Sequence, residues 1–110
     1  MAGTEHCVVL CSAPDSMVAD QLAGILVEER LAACVAILPG IRSVYVWQGK
    51  TETASEQQLL IKTRQDCLET LKSRILAIHP YELPEIIAVP VIDGLSGYLD
   101  WINQSVTPTP

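Results

Sequence analysis

Phenylalanine is absent from the 110 residues, and aromatic side chains of every kind make up 5%. An aromatic-rich core is therefore excluded. Val, Ile, Leu and Ala must fill the interior of a chain that is 49% hydrophobic. Positive charge is also scarce: seven Lys and Arg stand against 13 Asp and Glu, a net charge of −6. No Lys/Arg cluster occurs anywhere in the sequence. Nucleic acid, which is bound by displacing counterions with positive charge, is not an expected partner. An anionic membrane surface is disfavoured for the same reason, and no stretch approaches the roughly 20 apolar residues of a membrane span. Charge of both signs is low, at 18%, below the usual quarter or so. A small domain with so much aliphatic surface is expected to bury the excess against other copies.

Several motifs are missing as well. The four cysteines (Cys7, Cys11, Cys34 and Cys67) include no Cys-x-x-Cys, so a structural zinc site of the usual spacing is not expected. Met1 to His6 carries no apolar run of the kind that opens a secretory leader. The expected compartment is cytoplasmic, where disulfides are rare. Neither a Gly-rich phosphate loop nor a Gly-x-Ser-x-Gly elbow occurs. The chain is expected not to be an enzyme.

What is present is concentrated at His79-Pro80-Tyr81-Glu82-Leu83-Pro84-Glu85-Ile86. Each Pro removes an amide donor and pushes the residue before it out of the helical region. A helix arriving from Leu68 to Ile78 must stop here, and an apolar run begins at Ile86. The stretch is a rigid joint that displays an imidazole, a phenol and two carboxylates with little backbone freedom to lose on binding.

The rest of the chain reads as follows. His6 to Ala13 is a strand with both faces apolar, expected to be central and covered on both sides. Ser12 or Asp15 caps a helix that runs to about Leu31 on Val18, Leu22, Ile25 and Leu26. Ala32 to Lys50 is extended, interrupted by Pro39-Gly40, which marks a bulge or bend. Gln48 to Thr53 turns, and Glu56 to Thr63 returns as a third strand. Asp66 to Ile78 is a second helix on Leu68, Leu71, Ile75 and Ile78. Ile86 to Ile92 is a fourth strand, demoted to an edge by Pro90. Leu95 to Val106 is a short helix, with Tyr98 and Trp101 as its docking residues. Met1 to Glu5 and Thr107 to Pro110 are expected to be loose.

The order β-α-β-β-α-β with a terminal helix defines an α+β chain of the split β-α-β, ferredoxin-like kind, as one domain over residues 1–110. Its helices lie on one face of an antiparallel sheet. The bare face and the overlong hairpin ask for further copies, so a trimer or other cyclic oligomer is expected.

The sequence resembles the divalent-cation tolerance protein CutA family. The resemblance covers about Val8 to Val106. It rests on Leu31-Ala32-Ala33-Cys34, Tyr45-x-Trp47-x-Gly49-Lys50, Ile61-Lys62-Thr63, the His79 joint, and Tyr98-x-x-Trp101. It implies a homotrimer with strand pairing between subunits and a role in copper tolerance. It also implies a copper site at Cys11, closing the first strand, and at His79; Ile78 stands where the family carries a further histidine. Imidazole and thiolate suit copper. On residue types alone, Cys11 reads first as a buried small hydrophobe and His79 as a cap on the second helix. Cys34 reads as core, and Cys67 as a partly exposed thiol at a helix N-terminus. Glu56, Lys62, Tyr81, Glu82 and Trp47 form either a polar pocket between subunits or the contacts that fix an interface. A second functional reading follows from the shared architecture of the PII signalling proteins: a scaffold trimer binding a small effector or a partner protein.

Overall fold

The computed structural model describes residues 5–107. The loose segments expected at Met1 to Glu5 and Thr107 to Pro110 fall almost wholly outside that range. Eight residues, His6–Ala13, form β1; Ser16–Glu28 form α1. β2 is Cys34–Trp47 and β3 is Lys50–Arg64. A short 3-10 turn, Gln65–Cys67, leads into α2, Leu68–Ile78. β4 is Ile87–Pro90 and α3 is Ser96–Ser105. The sheet order is β2-β3-β1-β4, antiparallel throughout. This is the ferredoxin-like arrangement expected from the element order.

The core lies between the sheet and two helices. Cys7, Val9 and Cys11 of β1 meet Leu22 and Leu26 of α1, Leu59 and Ile61 of β3, and Leu71 and Ile75 of α2. Each fully buried Leu or Ile contributes about 1.5–3 kcal/mol relative to exposure. β1 is central, but it is covered on one face only. Val8 and Leu10 on its other face remain partly exposed, because both large helices pack on the same side.

Local chemistry sets the boundaries. Asp15, not Ser12, caps α1: its carboxylate accepts from the Val18 N–H at 2.9 Å. α1 ends three residues before the expected Leu31, in a Schellman motif without glycine. The Leu31 N–H reaches the Leu26 carbonyl and the Arg30 N–H reaches the Val27 carbonyl, with Arg30 left-handed at φ 60. The Arg30 side chain explains the exception. It donates to the Gln104 carbonyl at 2.7 Å and to Thr107 Oγ1 at 3.0 Å, tying the end of α1 to the end of α3.

The β2–β3 hairpin departs most from the sequence reading. Its turn is only two residues, Gln48 and Gly49, both at positive φ, so β3 begins at Lys50 and not at Glu56. Two left-handed residues match the twist of the flanking strands. β1 pairs with β3 only as far as Ala13 against Gln57. Beyond that point the hairpin continues as a ribbon that no other strand borders, and the molecule is elongated, 44 × 25 × 24 Å. Val44, Val46 and Trp47 on this ribbon are exposed. At its root, Leu38 pairs with Gln58 and Ile41 with Glu56, so Pro39-Gly40 is indeed a bulge.

β4 is short and pairs only with β1, with Pro90 opposite Cys7, so it is an edge strand as Pro90 requires. α3 docks through Ile102 and Val106, with Leu99, against Ala33 and Cys67. Tyr98 and Trp101 do not dock. They lie on the outer face with ring centroids 5.4 Å apart.

Candidate functional site around the His79 joint

α2 stops at His79, whose backbone is extended (φ −74, ψ 136) and whose N–H still reaches the Ile75 carbonyl. The ring does not cap α2. It turns to β1, where Nε2 lies 2.7 Å from the Ser12 carbonyl oxygen. A carbonyl only accepts, so Nε2 carries the proton. Nδ1 then accepts from the Tyr81 N–H at 3.1 Å. Both ring nitrogens are engaged, the ring is a neutral tautomer, and the residue is 7% exposed. The Pro80 constraint makes this possible: it fixes the backbone so that the Tyr81 amide faces the preceding side chain.

Tyr81 stacks at a tilt on His79, centroids 4.8 Å apart, and its phenol donates to Glu56 Oε2 at 2.7 Å. The other carboxylate oxygen of Glu56 accepts from the Ser43 hydroxyl at 2.6 Å. Burial first, and the hydrogen bond to Glu56 second, push the Tyr81 phenol up to about 12. Close by, the Gln58 amide reaches the Cys11 carbonyl at 3.1 Å and the Glu85 carboxylate at 3.2 Å. The cluster thus ties β1, the β2–β3 ribbon and the segment after α2 to one another.

Cys11 is fully buried. Its thiol points to the same Ser12 carbonyl that His79 holds, at 3.8 Å. Burial pushes it up to about 12, with the Glu85 and Glu56 carboxylates adding to the effect. A copper ion at Cys11 and His79 does not fit this arrangement. The thiol would have to lose a firmly held proton. The imidazole would have to give up at least one of two hydrogen bonds. Among the described residues no group of three or more His, Cys, Asp and Glu side chains is placed to hold a metal.

The other expected groups separate. Lys62 lies further along β3, its ammonium 4.0 Å from Cys34 Sγ, while Trp47 and Glu82 are exposed. Cys67 is not a partly exposed, acidified thiol. It is fully buried, and desolvation raises it. Ser43 and Gln58 belong to the cluster but carry no sequence signal, being ordinary polar residues of extended segments. The Ser12 carbonyl that joins Cys11 to His79 is a backbone atom and has no signal at all.

The fold and the site define a small ferredoxin-like α+β protein whose buried polar joint fastens its strands together. The chain belongs to the CutA1 divalent ion tolerance protein family, whose pattern it matches over residues 7–105. It is 48% identical over 99 residues to the divalent-cation tolerance protein CutA of Pectobacterium atrosepticum, covering 90% of each chain. The solved structure of the Thermus thermophilus divalent cation tolerance protein is 46% identical, with TM-score 0.91 over 93% of this chain and 99% of that one. The CutA1 structure from Oryza sativa is 40% identical, with TM-score 0.94 over 99% and 100%. The family description names ion tolerance, not a reaction. Relatives are described for different compartments: an Arabidopsis thaliana protein, 47% identical over 89% of this chain and 54% of its own, as chloroplastic; an Archaeoglobus fulgidus protein, 38% identical with TM-score 0.90 over 93% and 99%, as periplasmic. Among the described residues no helix is long and apolar enough to cross a membrane.

Proposed function

We propose that this protein acts in divalent-cation tolerance as a non-catalytic cytoplasmic homotrimer, with the His79 joint bracing the ribbon through which the copies pair. The observation that carries this reading is the ribbon itself. Two strands continue past β1 with both edges open and with Val44, Val46 and Trp47 in water. An isolated two-stranded ribbon is marginal at best, and open apolar edges pair with further strands. The half-exposed Val8 and Leu10 on the sheet face away from the helices support the same conclusion. Light scattering in dilute buffer tests it: a mass near three 12.0 kDa chains is expected, and a mass near one overturns it.

Copper at Cys11 and His79 is the second reading. It is favoured by the thiol and imidazole sharing one carbonyl, and it requires the joint to rearrange. Anaerobic Cu(I) and Cu(II) titration of the parent and of His79→Ala separates the two. Weak binding that the substitution leaves alone makes His79 a brace. Tight stoichiometric binding lost in the variant makes it a ligand. The partly buried Ser43–Glu56–Tyr81 chain favours a third reading, a small effector held in a cleft between copies. That reading predicts a ligand-dependent rise in Tm that survives chelators.

A further inference from the structure

Among the described residues, two charges lack opposite partners where partners are most needed. Glu56 is the only acidic side chain among the buried residues, 8% exposed, and its two oxygens are satisfied by neutral hydroxyls alone. No cation among the described residues pairs with it. Lys62 is the counterpart. Arg30, Arg42 and Lys50 are exposed, and the partly buried Arg64, Lys72 and Arg74 each hold a carboxylate. Lys62 alone is partly buried without one, facing only the Cys34 thiol. A charge drawn out of water is destabilising unless a counter-charge meets it.

The two groups cannot meet within one chain. They are six residues apart on β3, about 20 Å at roughly 3.3 Å per residue of a strand. Their positions suit a meeting between chains. Strand alternation puts Lys62 opposite the buried Ile61 and Thr63, on the sheet face that the helices leave uncovered. Glu56 sits at the root of the open ribbon, one residue past the end of the β1 ladder.

We infer that Glu56 of one copy pairs with Lys62 of a neighbouring copy, so that the polar cluster at the His79 joint is completed only by a second chain. This rests on the trimer reading above. The pair gives a register to an interface that is otherwise aliphatic: a charge-complementary contact fixes which part of the neighbouring sheet the ribbon can cover, and a slipped pairing strands both charges.

A double-mutant cycle tests it, with Glu56→Gln, Lys62→Met and the combined variant compared by Tm of the assembled protein. Glu56→Gln and Lys62→Met are each expected to lower Tm by roughly 5 °C or more. The combined variant should fall no further than the worse of the two. Unmodified protein gives a second readout that does not depend on the variants folding. Heavy-isotope and unlabelled chains are unfolded, mixed and refolded, then treated with a zero-length carbodiimide. A Glu56–Lys62 cross-linked peptide of mixed isotopic content is expected. A parent of one-chain mass overturns the trimer reading and this inference together. A trimer with additive effects and no such peptide overturns the pairing alone.

Discussion

The Tyr81 phenol and the Glu56 carboxylate are joined by a 2.7 Å hydrogen bond across 25 residues of sequence. Through it, the segment that ends α2 grips the root of the β2–β3 ribbon. Glu56 in turn holds Ser43 on the facing strand, so one phenol braces both strands of the hairpin.

Tyr81→Phe removes that donor and leaves one carboxylate oxygen buried without a partner. A loss of about 1–3 kcal/mol is expected, measured by urea unfolding at fixed protein concentration. An unchanged midpoint would show that water replaces the phenol at no cost.

The same phenol predicts an alkaline limit. Its value in the folded chain is raised from 10.0 to about 12, so folding favours its neutral form. The stability this contributes is present below the unfolded value and is lost as pH rises through the folded one. Stability should therefore decline between about pH 10 and 12, and Tyr81→Phe should flatten the decline. Ultraviolet titration should show one of the three tyrosines ionising late.

His79→Ala is expected to destabilise the protein by about 2–4 kcal/mol even in metal-free buffer, from two lost hydrogen bonds and a cavity. Denaturant unfolding in the presence of a strong chelator is the check. Equal stability under those conditions would remove the bracing role assigned to the ring.

Cys11 should be silent to thiol reagents at pH 8 in the folded protein and reactive after denaturation, because its thiol is fully buried and held near 12. Peptide mapping after labelling decides it; native labelling of Cys11 would contradict the burial described above.

Acid should act at the end of β3. The Arg64 guanidinium holds the Asp66 carboxyl below its ordinary value of 3.8. A lowered folded value contributes stability present above the unfolded value and lost as pH falls through the folded one. Stability should fall below about pH 4, and less steeply in Asp66→Asn, as followed by circular dichroism.

The element order, the sheet type and the edge position of β4 were legible because they follow from periodicity and from Pro90. The joint was legible too, because two prolines fix a backbone whatever surrounds them. That the hairpin is overlong was legible as well; where its return strand begins was not. Gln48 carries none of the usual turn preference, so the turn read as Gln48 to Thr53 and the return as starting at Glu56, whereas two residues suffice and β3 starts at Lys50. Tyr98 and Trp101 misled because size suggests docking, whereas Leu99, Ile102 and Val106 form the face that packs. Cys67 misled because a helix N-terminus lowers a thiol only where water or charge can reach it, and here the thiol is part of the α3 contact. The Cys11 and His79 geometry turns on the carbonyl of Ser12, and no residue type announces a backbone atom.

The bulge at Pro39-Gly40 has a consequence for how this chain can tolerate change. Between Leu38 and Ile41 the outer strand takes three steps while its partner takes two, from Gln58 to Glu56. Losing either residue of the pair would restore two steps against two: Leu38 would still face Gln58 and Ile41 would still face Glu56. Every side chain from Ile41 to Trp47 would therefore keep its side of the ribbon. What would go is the bend and the added twist that a surplus residue gives its strand. A one-codon deletion here would leave the list of strand partners intact and re-aim the whole arm, so the same surface would be offered to other copies in a different direction.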